Sequence, residues 1–325
     1  MLRRTKSLLG SLSSAARLRV LDPATPRERE LIAELRARLR ALPERDVSGG
    51  SEAANTWARV LNHFRHLVAT QDPRAFLTWG HLQTMFVGDA DYVRPELEHL
   101  RRQPDWETRW RKAVEESPVG KPARYPAWPE SSGNLLHHAY HVCRFEEATG
   151  LRAEELELVI EFGGGYGSMC RLFHALGFRG RYVIFDFAEF SCLQEYFLKS
   201  LGLPVRQAAS MKDGAPGVAT LSDVDELGAT VEALAPRARA SLLLATWSLS
   251  ETPVEFRQRV LSTAAHFDAF LLAYQERFGE ADNRAFFDDW KQTRTDVRWA
   301  GEHLEHIPGN FYLFGRRREP RASTR

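Results

Sequence analysis

LVIEFGGGYGSMCRLFHALGFRGRYVIFD, residues 158–186, spells out one complete supersecondary unit. The apolar run Leu158, Val159, Ile160 leaves through Glu161 and Phe162 into a turn with glycine at 163, 164, 165 and 167. A helix-length segment follows, and a second apolar run, Tyr182 to Phe185, ends on Asp186. The order is strand, glycine turn, helix, strand, acid. Glycines permit a sharp turn and bring a ligand close to the main chain, while a carboxylate at the next strand tip can accept both hydroxyl hydrogens of a ribose. An adenosine cofactor is the expected guest.

The register of the glycines narrows that choice. A dinucleotide fingerprint G-x-G-x-x-G begun at Gly163 needs glycine where the chain has Ser168; begun at Gly164 it needs glycine where the chain has Tyr166. A nicotinamide oxidoreductase is disfavoured on that ground. The pattern E-x-G-x-G-x-G is filled without a gap by Glu161, Gly163, Gly165 and Gly167. This is the glycine loop of methyltransferases that use S-adenosylmethionine (SAM), and Asp186 follows at the spacing of about 20 residues that the unit requires. A plain turn without a ligand is the weaker alternative, because strand, helix and acid all agree.

Beyond Asp186 the alternation continues. Helices are expected at 189–201, 224–234 and 283–293, and another, begun by Thr252, Pro253 and Glu255, to about residue 265. Strands are expected at 203–206, 241–245, 268–274, 297–301 and 310–315, with a polar loop at 246–251. Such alternation implies a parallel sheet with right-handed crossovers. The last connection, 302–309, is too short for a helical crossover, so the closing pair is expected to be an antiparallel hairpin at one sheet edge. The fold class is therefore α/β: a Rossmann-like, seven-stranded, mostly parallel sheet with a C-terminal antiparallel hairpin, preceded by an α-helical N-terminal region.

That N-terminal region spans 1–130, as a cap or an oligomerisation surface, and the cofactor domain spans 131–325. Thr25, Pro26 and Glu28 form a capping-box start, followed by Leu31, Ile32, Leu35, Leu39 and Leu42 on one face. Trp57, Val60, Leu61, Phe64, Leu67 and Val68 mark a second amphipathic helix. A third piece starts at Pro73 and buries Phe76 and Leu77, with Met85 and Phe86 as further candidates. Trp106 and Trp110, one helical turn apart, read as packing residues, with a sugar platform as the sharper option. Prolines at 118, 122, 126 and 129 exclude a regular helix at the junction. The segment 131–150 is a helix stopped by Gly150.

Composition sets outer limits. The chain has 325 residues, 43% apolar and 27% charged, with 44 basic against 43 acidic residues, so a nucleic-acid partner has no compositional support. Cys143, Cys170 and Cys192 are far apart and lack CxxC spacing, which points to a reducing, cytoplasmic setting without a zinc knuckle or disulfide framework. No apolar run approaches the roughly 18 residues of a membrane span. The first 20 residues carry five basic side chains and no acid; a frayed terminus is the preferred reading, weak peripheral membrane contact the alternative.

With EFGGGYGS (161–168), YVIFDFAEF (182–190), ATWSLSE (245–251) and EHIPGNFYLFG (305–315) in place, the chain resembles the bacterial sugar O-methyltransferase family over roughly 130–315. The resemblance implies SAM as cofactor and a sugar hydroxyl, in surface glycan or polysaccharide biosynthesis, as acceptor. A non-sugar small-molecule acceptor, or a non-catalytic SAM-binding subunit of a glycan-assembly complex, are the alternatives. A homodimer stays open.

The site candidates follow. Gly163, Gly164, Gly165 and Gly167 form the turn around the cofactor, Glu161 orients that loop or meets the SAM amino group, and Asp186 with its neighbour Phe187 takes the ribose side. Thr246 and Trp247 border the methyl position; Glu251 is a catalytic candidate or simply part of the next helix start. Methyl transfer to a hydroxyl benefits from a base. His141 is the first choice, with His303 as a further candidate and His137, His138 and His306 as rivals. His137 and His141 stand at i and i+4, a metal-ligand spacing, but no third ligand is evident, so no metal is expected. Tyr274, Gln275 and Glu276 should end the fifth strand where substrate enters.

Overall fold

The computed structural model describes residues 21–49, 52–83, 90–211 and 214–318. The basic terminus and the expected burial of Met85 and Phe86 lie outside them. Apart from a separate short antiparallel pair, Arg277–Phe278 with Ala281–Asp282, the strands are β1 Leu158–Phe162, β2 Arg181–Phe185, β3 Gly217–Leu221, β4 Ser241–Thr246, β5 Ala269–Gln275, β6 Val297–His303 and β7 Asn310–Arg317. They form one seven-stranded sheet in the order β3-β2-β1-β4-β5-β7-β6. Strands β1 to β5 are parallel, whereas β7 runs antiparallel between β5 and β6. This order, with its one reversed inner strand, is that of the Rossmann-like methyltransferase fold.

The helices are α1 Pro26–Ala41, α2 Glu52–Thr70, α3 Val93–Arg101, α4 Gly133–Thr149, α5 Ser168–Ala175, α6 Ala188–Ser200, α7 Val224–Leu234, α8 Val254–Leu261 and α9 Asn283–Gln292. Strand alternation divides the core between the two faces of the sheet. From β1, Val159 joins the cluster under α1 to α6, while Leu158, Ile160 and Phe162 join the cluster under α7 to α9. Glu161 shares the parity of Val159 and therefore points to the first face. None of the described helices is long and apolar enough to cross a membrane.

The N-terminal helices have no core of their own. Leu31, Leu35, Phe64 and Phe76 belong to the same buried cluster as Phe190 and Phe197 of α6. The Thr25 capping box is formed. Arg36 of α1 donates to the Val68 carbonyl at the end of α2 and to the Gln71 carbonyl just after it, and Arg65 of α2 donates to the carbonyls of Leu42 and Pro43 just after α1. Each guanidinium thus satisfies carbonyls left open at the other helix's C-terminal end. Trp106 and Trp110 are buried, 7% and 2% exposed, and serve packing.

Two boundaries differ from expectation. Residues 203–206 contribute only one bridge, Val205 to Val218, and the third strand is Gly217–Leu221, paired with β2 throughout. Burial explains the choice, since Val218, Ala219 and Leu221 are buried while Leu203 and Val205 are half-buried. Thr252 does not cap the following helix. Its hydroxyl donates to the Leu249 carbonyl, and α8 begins after Pro253.

Candidate cofactor and acceptor site

In the strand order, the chain moves outward from β1 to β3 and then returns to β4 on the other side of β1. The crevice at the carboxyl ends of β1 and β4 is the place where α/β sheets bind ligands. A cavity of about 1220 Å³ opens there. It exceeds the roughly 300–1,000 Å³ of ordinary ligand pockets, so a cofactor and an acceptor can share it.

The first wall is the glycine turn. Gly163 has φ +75°, and a Cβ there would stand 2.2 Å from the Ser248 Cβ. Its N–H donates to the Phe185 carbonyl at 2.8 Å, which ties the turn to β2. Gly165 donates its N–H to Asp186 Oδ2 at 3.0 Å, so turn and acid are in direct contact. Asp186 also accepts from the Gln194 amide at 2.9 Å and, through Oδ1, from the Phe187 N–H at 2.8 Å. Desolvation outweighs these bonds and pushes its carboxyl up to about 7. Gly163, Gly164, Gly165, Asp186 and Phe187 all line the cavity. Gly167 does not; it sits at φ +95° as the cap residue of α5.

Glu161 is 2% exposed and accepts from the Tyr182 hydroxyl at 2.9 Å. Burial pushes its carboxyl up to about 8, against the Tyr182 bond and with help from the Asp186 charge. Its folded-state value lies above the ordinary 4.5, so between the two the unfolded chain has released a proton that the folded chain retains. Stability then falls as pH rises through that window. Glu161→Gln keeps the acceptor for Tyr182 and removes the charge. We expect its melting temperature to exceed that of the wild type by several degrees at about pH 8.5 and to converge with it near pH 5. A difference that does not change with pH in thermal scans would show that Glu161 is ionised throughout.

The N-terminal region supplies a roof. Arg45 pairs through two hydrogen bonds, 2.8 and 2.7 Å, with Glu189, which is 1% exposed. The same guanidinium lies 5.3 Å from the Phe187 ring centre, and Trp57 packs on Phe187 at 5.3 Å. Sequence reading missed this contact, because 144 residues separate the ion pair.

The second wall follows β4. Thr246, Trp247 and Glu251 line the cavity. Trp247 has φ +62°, rare for a bulky residue, and is held by its N–H to the Ala273 carbonyl (2.7 Å) and its indole N–H to Asn310 Oδ1 (2.6 Å). Such strain persists only where the surroundings fix it, and it clusters at functional sites. Glu251 ends the short turn after Trp247, half-buried, and burial raises its pKa. It faces the cavity, so a site role is open to it as well as its place before α8.

The histidine helix α4 closes the opposite side of the cavity. His137, His138 and His141 all line the cavity. The His137 ring stacks on Trp247 at 5.4 Å and stands 4.1 Å from His141. His137 Nδ1 is bonded to Glu96, and His141 Nδ1 to the Tyr312 hydroxyl. Burial, reinforced by the neighbouring histidines, pushes His141 well below the ordinary value and His138 down to about 3. His141 Nε2 and His138 Nδ1 are buried without a hydrogen-bond partner.

His303 is corrected. It lies exposed at the end of β6, packed on Phe311 at 5.0 Å, outside the cavity. The hairpin instead contributes His306, whose Nε2 bonds Glu96 at 3.0 Å. Tyr274, Gln275 and Glu276 are also absent from the cavity wall; Tyr274 is 5% exposed and packs on Phe287. Among the described residues, His99, Cys143 and Glu147 have ligand atoms within 4.8 Å of one another. They lie outside the cavity, and Glu147 is already paired with His99 and Arg144.

No family model and no curated protein matches the chain. Solved structures do align with it. The SAH-bound methyltransferase PaMTH1 of Podospora anserina is 8% identical over 74% of this chain and 93% of its own, with a TM-score of 0.38. The mitomycin 7-O-methyltransferase MmcR is 13% identical over 83% and 74%, at 0.33. The methyltransferase domain of bacterial CtHen1-C is 10% identical over 56% and 97%, at 0.35. Likenesses of this size carry no functional weight; the chain's own strand order and cavity do.

Proposed function

We propose that the chain is a SAM-dependent O-methyltransferase acting on a sugar hydroxyl. The observation that carries the cofactor half is the direct contact of Gly165 with Asp186 at the mouth of β1 and β2, inside a cavity that also presents Glu161. The residues fit the group. The Gly163 to Gly165 backbone would take its amino-acid and ribose portions, Asp186 its ribose hydroxyls, and Glu161, ionising beside a cation, its amino group. When bound, SAM supplies a methyl group already activated on a sulfonium. The protein then has to align the acceptor and remove a proton.

The sugar half rests on the acceptor wall. Trp247 offers an apolar ring surface, and the His137 ring stacked beside it, which also lines the cavity, offers a polar edge. A hydroxylated ring matches both, since buried polar atoms require partners and sugars stack their C–H faces on aromatic rings. The glycan setting follows from the family resemblance. The N-terminal helices act as a cap that excludes water from the cavity.

Calorimetry with S-adenosylhomocysteine (SAH) tests the cofactor, and labelled SAM with a panel of methyl glycosides and phenolic acceptors tests the acceptor. We expect SAH binding and label transfer to glycosides. Absence of SAH binding removes the reading; transfer to phenols alone replaces the sugar with another small molecule.

A further inference from the structure

Among the described residues, one buried carboxylate beside the histidine helix has no role so far. Glu96 of α3 is 0% exposed, yet its carboxylate lies 2.8 and 2.9 Å from His137 Nδ1 and 3.0 Å from His306 Nε2. A fully buried carboxylate is costly unless its partners compensate it, and here two imidazoles from separate elements do so. Resting on the O-methyltransferase reading, the geometry points to His137 as the catalytic base and to Glu96 as the residue that positions it.

The tautomer follows from the acceptor. Burial works to raise the Glu96 pKa, but the two histidines outweigh it and hold the carboxyl below its ordinary value, so it is ionised and only accepts hydrogen bonds. His137 therefore carries its proton on Nδ1, and Nε2, the far nitrogen of a ring that lines the cavity, is the one left unprotonated. His306 likewise must carry its proton on Nε2. Bound SAM would supply the methyl group to the acceptor oxygen, leaving as its neutral thioether, and His137 Nε2 would take the proton that the acceptor hydroxyl gives up. The resulting imidazolium faces the Glu96 carboxylate, an arrangement that stabilises the charge as it forms.

His141 lacks that support. Among the described residues its bonded partner is the neutral Tyr312 hydroxyl, and burial together with the nearby His137, His138 and His306 opposes a charge on it. The groups around His137 are Glu96 and Tyr92 from the α3 side, His138 and His141 on its own helix, and His306 from the hairpin beyond Glu96. Tyr92 lies with its ring 5.2 Å away and burial pushes its hydroxyl up to about 12, so it stays neutral. Glu96 is thus the one carboxylate bonded to His137 among the described residues.

Long-range nitrogen–proton spectra of the histidines in SAH-loaded protein test this, with His137→Gln and His141→Gln giving the assignments. We expect His137 as the Nδ1–H tautomer, and Glu96→Gln to shift the ring nitrogens of His137 and His306 while those of His174 stay in place. Exchanging SAH for sinefungin, which bears an amine in place of the methyl-sulfonium, should move His137 Nε2 more than either nitrogen of His141. An Nε2–H tautomer at His137, or a larger sinefungin response at His141, overturns the proposal. Calorimetry on the same sample separates the two claims: no SAH binding removes the function reading and the base role with it, whereas SAH binding with the wrong tautomer removes only the assignment to His137.

Discussion

Asp186→Ala is expected to weaken SAH binding about 100-fold while the protein stays folded. A carboxylate at the tip of β2 that accepts two ribose hydroxyls contributes two charge-assisted hydrogen bonds, each worth about 1.5 kcal/mol or more. Together they amount to about 3 kcal/mol, and 1.4 kcal/mol is tenfold in affinity. The fold should tolerate the change, because Asp186 is desolvated in the protein, with its carboxyl at about 7 against an ordinary 3.8. The sign is that of Glu161: the folded state holds the proton longer, so ionisation costs stability as pH rises through this window, and alanine removes that cost. The Gly165 and Phe187 N–H groups left behind face the cavity, where water can reach them. Calorimetry with SAH and a thermal scan at about pH 8 check both halves. Unchanged affinity would remove the ribose assignment, and a collapsed melting temperature would make Asp186 a structural residue.

Gly163→Ala is expected to destabilise the protein by about 3 kcal/mol and to abolish SAH binding. Two costs combine there. The backbone at φ +75° strains any residue with a Cβ by roughly 1–2 kcal/mol, and the new carbon would stand 2.2 Å from the Ser248 Cβ and 2.6 Å from its Oγ, an overpacking that typically costs about 1–3 kcal/mol. Neither side can yield easily. Gly163 is hydrogen-bonded to β2, and the Ser248 hydroxyl donates to the Phe162 carbonyl. Gly202 provides the comparison. Its φ of +77° is nearly the same, but nothing lies within 4 Å of a Cβ there. Gly202→Ala should therefore lose only the strain contribution, about 1 kcal/mol, and bind SAH normally. Urea unfolding of the two variants decides the matter; equal losses would mean that the crowding against Ser248 is relieved at little cost.

Much of this site could be read before any coordinates, and the reason is local. The strand, the glycine turn and Asp186 lie within one stretch of 29 residues, so spacing alone fixes which groups meet. The Thr25 capping box and the Gly150 stop are local in the same sense, and both formed. The third strand went astray because 203–206 and 217–221 have similar apolar content. Only pairing with β2 and burial under α6 and α7 select between them. The sequence reading puts His303 between the last two strands, but the extension of β6 makes it the exposed end of that strand, and the next turn carries His306 to Glu96 instead.

Local patterns in the chain account for one end of the cavity: apolar runs of strand length, a glycine register that allows a tight turn, and an acid one strand away. These are short-range properties, set by backbone sterics and hydrophobic period. Tertiary packing alone accounts for the opposite end, lined by the histidines. Glu96 meets His137 across 41 residues and His306 across 210, Arg45 meets Glu189 across 144, and His141 meets Tyr312 across 171. No spacing rule reaches that far. Packing of α3 on α4 and of α4 on the reversed strand β7 joins the histidine partners, and packing of α1 on α6 brings Arg45 to Glu189; burial then requires that each polar group find its complement.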